Sequence, residues 1–79
     1  MAEVVLRLFS GPHCHLCDQA LDLLSPQLRA PYRLEQVDVT SSLDLKKRYG
    51  WKIPVLRRED TQAELHWPFD AVQLADFLS

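Results

Sequence analysis

The hydrophobic period changes once near the N-terminus, and this change limits what the chain can fold into. Residues 4–9, VVLRLF, form a nearly continuous apolar run, typical of a strand covered on both faces. Beyond it, apolar residues recur with a helical period along one stripe: Leu16, Ala20, Leu23, Leu24 and Leu28. A strand therefore passes directly into a helix, and the two cysteines of the chain, Cys14 and Cys17, lie at the junction.

A second strand and a second helix follow. Residues 32–39, YRLEQVDV, alternate partly and predict the strand. We expect the helix to begin with a capping box between Ser41 and Asp44. Gly50 is expected to end it in the left-handed conformation that glycine adopts readily.

The C-terminal third predicts a hairpin and a last helix. Residues 53–58, IPVLRR, and residues 63–67, AELHW, are close enough in sequence to pair antiparallel. Asp70 is expected to cap the last helix, with Gln73 reaching back to complete a capping box. The order β-α-β-α-β-β-α predicts an α/β fold, with a four-stranded mixed sheet and helices on both faces. We expect residues 1–79 to form a single domain.

Charge and composition exclude several partners. The net charge of −2 does not favour binding to nucleic acid or to an anionic membrane. The run Lys46-Lys47-Arg48 fits a solvated helix face. Glu3 and Arg7 do not fit a signal peptide, so we expect a reducing compartment, the cytoplasm. Without sustained heptads, a monomer is the expected state.

The position of the cysteines favours redox chemistry. The thiolate is the nucleophile, and an ordinary thiol with a pKa of about 8.5 is only a few per cent ionised at neutral pH. A helix N-terminus favours the anion at Cys14, and His13 and His15 could add positive charge. Cys17 lies almost one turn further on, close enough to resolve a mixed disulfide on Cys14. We expect His15 and Leu16, between the cysteines, to tune the reduction potential of the Cys14–Cys17 couple.

Other interpretations of the two thiols stay open. They could be two small buried side chains, since free cysteines are often buried. They could also bind zinc or an iron–sulfur cluster, although the second ligand pair of a zinc finger is missing and we predict no metal ligands. A non-catalytic binding module and a redox sensor are further alternatives.

Three motifs resemble the small glutaredoxin-like proteins of the thioredoxin-fold superfamily. These are CHLC opening a helix after VVLRLFS, QVDV near the end of the second strand, and WKIPVL entering the third. The resemblance implies a thiol–disulfide oxidoreductase, with Cys14 and Cys17 as its catalytic residues. It also implies that Pro54 follows a cis peptide bond and faces the cysteines, while the Ile53 backbone pairs with the substrate chain.

The chain departs from the glutaredoxin pattern where that family holds glutathione. Glutaredoxins usually carry Cys-Pro-Tyr-Cys and a Gly-Gly pair before the last helix, whereas this chain has Cys-His-Leu-Cys and WPFD. We therefore expect Trp67, Phe69 and Asp70 to border the substrate site, together with His13 and Leu16. The expected substrate is a protein or peptide disulfide, with a reductase or glutathione as electron donor. No tightly bound cofactor is expected.

Overall fold

The predicted strands form one mixed sheet. The computed structural model describes residues 3–79, so the first two residues of the predicted domain lie outside the described part. The strands are β1 (Val4–Ser10), β2 (Tyr32–Asp38), β3 (Val55–Arg58) and β4 (Glu64–His66). The sheet order is β2-β1-β3-β4, with β1 parallel to β2, and with β3 antiparallel to both β1 and β4. This arrangement confirms the predicted α/β fold.

Two helices join these strands, and a third follows β4. They are α1 (His15–Leu24), α2 (Leu43–Tyr49) and α3 (Ala71–Phe77). Short 3₁₀ turns follow α1 at Ser25–Gln27 and β2 at Val39–Ser41. None of the helices in the described chain is long and apolar enough to cross a membrane.

The sheet has a hydrophobic cluster on each face because successive side chains of a strand point to opposite sides. The larger cluster packs beneath α1 and α3; its buried members are Leu6, Leu8, Ala20, Leu24, Leu56, Phe69 and Leu74. The smaller cluster packs beneath α2; its buried members are Phe9, Val39, Tyr49 and Val55. Helices therefore cover both faces, as predicted.

The buried stripe of α1 differs from the predicted one at its first residue. Leu16 is 45% exposed, whereas Cys17 is 6% exposed and packs inward with Ala20 and Leu24. The inward positions are thus spaced i, i+3 and i+7, which is equally consistent with one helix face. Leu16 therefore lies on the surface between the two cysteines.

Both predicted ends of α2 were wrong in detail. Ser42 is the N-cap, one residue later than predicted, and its hydroxyl accepts the N–H of Leu45. The 3₁₀ turn before it holds Ser41 and displaces the start of the helix. Gly50 has right-handed helical dihedrals, with φ −53°. Glycine suits this position because a Cβ here would collide with the carbonyl oxygen of Lys46.

The start of α3 is as predicted. The Asp70 carboxylate accepts the N–H of Gln73 at 2.8 Å, and the Gln73 side chain accepts the N–H of Asp70 at 2.9 Å. Of the apolar positions that follow, Leu74 is fully buried while Ala71 and Ala75 are exposed. The helix is thus held by its cap and by a narrow apolar face.

Candidate functional site

The two cysteines lie where β1 passes into α1. They form a disulfide, with the Cα atoms 5.2 Å apart. Between strand and helix, His13 has a φ of 56°, a left-handed conformation that reverses the chain direction over few residues. The structure is therefore that of the oxidised couple, at a junction that presents its first sulfur at one end of the sheet.

The two sulfurs differ in access to solvent. Cys14 is half-buried, and its neighbours His13 and His15 are exposed. Cys17 is 6% exposed and packs into the first turn of α1. An incoming disulfide could therefore reach Cys14 directly, whereas Cys17 is reached through Cys14.

The sulfur of Cys14 caps α1. Cys14 is the N-cap residue, with extended dihedrals, and its Sγ accepts the N–H of Cys17 at 3.1 Å. After reduction, the same N–H would face a thiol or thiolate, and a hydrogen bond to a charged acceptor is stronger than one to a neutral acceptor. The partial positive charge of the helix N-terminus acts in the same direction. Both effects favour the ionised form of Cys14.

Asp18 is a residue of this first turn that sequence reasoning missed. Its backbone N–H donates to the carbonyl of Cys14 at 3.2 Å, and its carboxylate is exposed. A negative charge at a helix N-terminus stabilises the helix, but it also opposes a second negative charge nearby. The sequence indicates Asp18 only by its position four residues after Cys14.

The strand register brings two further segments to the same end of the sheet. Phe9 near the end of β1 pairs with Val55 at the start of β3, and Val55 also pairs with His66 of β4. Because β1 and β3 are antiparallel, the Ile53–Pro54 loop that precedes β3 lies beside Gly11, which follows β1. A Cβ on Gly11 would lie 3.1 Å from Cδ1 of Ile53, so the two loops touch. The Ile53–Pro54 peptide bond is cis, the form that the resemblance implied.

The segment Trp67–Asp70 completes this end of the sheet. The N–H of Trp67 donates to the carbonyl of Pro54 at 3.3 Å. Trp67 is half-buried and meets Phe69 edge to face, with ring centroids 5.0 Å apart. Phe69 is only 5% exposed and belongs to the larger core cluster, whereas Asp70 is exposed. Trp67, Pro68 and Asp70 are thus the members of this segment with substantial solvent-accessible surface.

Tyr49 holds the Ile53–Pro54 loop and was also missed by sequence reasoning. Its carbonyl accepts the N–H groups of Lys52 and Ile53 at 2.8 and 3.1 Å. Its ring stacks on Phe9 with centroids 4.2 Å apart, and its hydroxyl donates to Glu64 at 2.5 Å. This last contact joins α2 to β4, and no local pattern in the sequence predicts it.

The charges around Tyr49 are coupled. Burial raises the pKa of the Tyr49 hydroxyl, and its hydrogen bond to Glu64 adds to the effect. That hydrogen bond also lowers the pKa of the Glu64 carboxyl. Arg57 donates to the Tyr49 hydroxyl at 3.2 Å and lies 5.0 Å from the Phe9 ring centroid. The loop is thus anchored by a fixed polar network.

The fold and this arrangement of cysteines and cis proline define the class: a thioredoxin-like protein with a Cys-x-x-Cys pair. The sequence matches the family model of the glutaredoxin-like domain (DUF836) over residues 5–79. The chain therefore belongs to the glutaredoxin-like domain family. No curated protein matches the sequence.

Solved structures agree with this family. The structural genomics target protein XcR50 from X. campestris is 38% identical, with 92% of this chain and 93% of that chain covered and a TM-score of 0.81. Protein Ne2328 from Nitrosomonas europaea is 25% identical, with 100% and 95% covered and a TM-score of 0.77. The Trx4 domain of ERdj5 shares the fold at 18% identity, with 96% and 76% covered and a TM-score of 0.61.

A paired Cys14–Cys17 in a glutaredoxin-like domain supports a redox-type function. Within residues 3–79, no three His, Cys, Asp or Glu side chains are grouped so that they could hold a metal ion.

Proposed function

We propose that this protein is a thiol–disulfide oxidoreductase that reduces disulfides in proteins or peptides through Cys14 and Cys17. The observation that carries the proposal is the unequal pair. Cys14 is accessible and caps α1 with its sulfur, while Cys17 is 6% exposed and already bonded to it. Disulfide exchange needs one sulfur that attacks and one that resolves.

The reaction has two exchange steps. The Cys14 thiolate attacks one substrate sulfur, which breaks the substrate disulfide, forms a mixed disulfide and releases the other substrate sulfur as a thiolate. The Cys17 thiolate then attacks Sγ of Cys14, which forms the protein disulfide and releases the second substrate sulfur. Two electrons pass from the protein dithiol to the substrate, and the released thiolates take up protons according to pH.

The residues around Cys14 would act on a substrate in two ways. The N–H of Cys17 stabilises negative charge on the attacking sulfur. Leu16, His13 and His15 are exposed beside it and would contact the incoming chain.

The cis-proline loop would position the substrate backbone. The N–H of Ile53 is already engaged by the Tyr49 carbonyl, so pairing with a substrate would fall to the Ile53 carbonyl. Trp67 would border the other side of this loop, since its N–H bonds to Pro54. Asp70 is an exposed neighbour of that segment, whereas Phe69 would act from the core.

A protein or peptide disulfide is a better substrate for this site than glutathione alone. The chain has only two glycines, Gly11 and Gly50, so it lacks the Gly-Gly loop before the last helix. Glutathione or a reductase thiol would instead reduce the Cys14–Cys17 disulfide after each turnover. A reducing compartment such as the cytoplasm would supply that donor.

The proposal is tested by trapping the mixed disulfide. Cys17→Ser should form a stable adduct with a disulfide-linked peptide, visible on Cys14 by mass spectrometry, because the resolving sulfur is gone. Cys14→Ser is the matched control and should form far less adduct, since Cys17 is buried. Equal adducts in the two variants, or none in either, would overturn the proposal.

A further inference from the structure

Trp51 is the most exposed large apolar side chain in the described chain. It is 98% exposed, whereas the other tryptophan, Trp67, is half-buried. Single exposed apolar residues are common on protein surfaces, but a fully exposed tryptophan offers an unusually large contact area. Tryptophan is also among the residues most enriched where protein partners gain binding energy.

Basic residues surround Trp51 in the sequence and on the helix. They are Lys46, Lys47 and Arg48 in the last turn of α2, and Lys52 after it. Gly50 continues the right-handed helical conformation, so Lys47 and Arg48, four and three residues before Trp51, lie on its side of the turn. We call the surface formed by these cations and Trp51 the basic–aromatic surface.

The basic residues of this surface differ from those on the sheet. Arg7, Arg33, Arg57 and Arg58 all make ion pairs with carboxylates. Among the described residues, the cations of the basic–aromatic surface make no ion pair, and Asp44 of the same helix does not pair with them. Arg48 lies over the Tyr49 ring, 5.7 Å from its centroid, whereas the charge of the three lysines is available to a partner.

The basic–aromatic surface adjoins the proposed substrate site. Trp51 precedes Ile53 by two residues, so their Cα atoms lie within roughly 7 Å of each other. Ile53 in turn touches Gly11, three residues before Cys14. A substrate chain that reaches Cys14 past the cis proline would therefore pass close to Trp51.

The helix dipole explains only part of this pattern. Cations in the last turn of a helix are stabilised by its negative end, which accounts for the lysines and arginine of α2. The dipole does not account for Lys52, which follows the helix, or for a fully exposed indole. Since the N–H of Ile53 is engaged within the loop, a substrate would also need contacts beyond the backbone.

We infer that the basic–aromatic surface docks an acidic stretch of the substrate polypeptide next to its disulfide, with Trp51 as the apolar anchor. This inference rests on the proposed function and adds a substrate class to it. A short acidic segment fits the charge better than a nucleic acid. The whole chain carries 11 Asp and Glu against 9 Lys and Arg, so a long polyanion would extend onto repulsive surface.

The test uses the pre-reduced protein in single turnover with three disulfide-linked peptides of equal length, flanked by Glu, Gln or Lys. Hydroxyethyl disulfide serves as a small neutral reference. The rate with the Glu peptide should exceed that with the Lys peptide by about tenfold at low salt, and 1 M NaCl should remove most of this preference.

Variants assign the preference to the basic–aromatic surface. Trp51→Ala should lower the ratio of the Glu-peptide rate to the hydroxyethyl disulfide rate about tenfold, and Trp51→Phe should restore much of it. The double variant Lys47→Glu/Lys52→Glu should reverse the order of the three peptides. Arg29→Glu, which changes the net charge by half as much as the double variant, is the charge control at a distant position, because Arg29 is exposed at the opposite end of the sheet, and it should keep the original order.

Each contrary result has a separate meaning. Equal rates with the three peptides would overturn the inference while leaving the proposed function intact. A single-stranded oligonucleotide that quenches the tryptophan fluorescence of the wild type but not of Trp51→Phe at 150 mM salt, and competes with the Glu peptide, would assign the surface to nucleic acid and also overturn the inference. Failure of the wild-type protein to reduce even hydroxyethyl disulfide would instead remove the proposed function.

Discussion

The two faces of the sheet are built differently. The cluster beneath α1 and α3 is large and mostly aliphatic, with Leu24 and Leu74 fully buried. The cluster beneath α2 is small, and its aromatic pair, Phe9 and Tyr49, adjoins an ionic network. Among the described residues, the first cluster has seven buried members and the second has four, and the second face holds the loop that ends in Ile53–Pro54. The first face therefore contributes more to stability, and the second positions the cis-proline loop.

The largest expected effect belongs to the aliphatic face. Leu24→Ala should lower the free energy of unfolding by about 3 kcal/mol, because it removes a fully buried side chain and leaves a cavity. Urea unfolding measures the loss, and the folded fraction should keep its rate of disulfide reduction. Val72→Ala is the control, since Val72 is 77% exposed and should change stability little. Similar losses in the two variants would contradict the assignment of Leu24 to the core of this face.

Two tyrosines, Tyr49 and Tyr32, give the expected effect of intermediate size. The hydroxyl of Tyr49 donates to Glu64, and that of Tyr32 donates to the carbonyl of Leu78. Tyr49→Phe and Tyr32→Phe should each lower the free energy of unfolding by about 1 kcal/mol. Only Tyr49→Phe should also slow the reduction of a peptide disulfide, by about threefold, because the lost bond to Glu64 fixes the position of the residue whose backbone carbonyl holds the Ile53 loop. Equal rates in the two variants would show that the hydrogen bond between Tyr49 and Glu64 does not affect the substrate site.

The smallest expected effect is the pH dependence of stability at the ionic network beneath α2. The hydrogen bond from Tyr49 lowers the pKa of the Glu64 carboxyl below its ordinary value of 4.5. Its stabilisation is therefore complete above that value and is lost as the pH falls through the lower pKa of the folded state. Glu64→Gln should reduce the loss of stability between pH 6 and pH 3, by less than about 1 kcal/mol.

The pH effect should also depend on Tyr49. In a Tyr49→Phe background, Glu64→Gln should change the pH profile less than it does in the wild type, since the main hydrogen bond is already absent. Urea unfolding at several pH values measures both backgrounds. An unchanged effect of Glu64→Gln would show that Tyr49 does not carry this stabilisation.

Much of the fold follows from local patterns. The change of hydrophobic period placed a strand before a helix, and Asp70 with Gln73 predicted the capping box of α3. These features depend on neighbouring residues, so the sequence contains them directly. The position of the cysteines at the strand–helix junction follows from the same local reading.

The features that sequence reasoning missed depend on contacts or on exact helix phase. Leu16 was predicted in the buried stripe of α1 but points outward, and Cys17 points inward in its place. Gly50 is required by its approach to the Lys46 carbonyl and not by a left-handed turn. The contact between Tyr49 and Glu64 joins elements 15 residues apart, which no local pattern indicates.

The central claim is that Cys14 is the reactive member of the pair, and its most direct test is alkylation of the reduced protein against pH. Mass spectrometry of the iodoacetamide products identifies which cysteine is modified and at what pH half of the maximal rate is reached. We expect Cys14 to be modified first, with a thiol pKa below the usual value of about 8.5, because the helix N-terminus and the Cys17 N–H stabilise its thiolate. First modification of Cys17, or a Cys14 pKa at or above the usual value, would contradict the account.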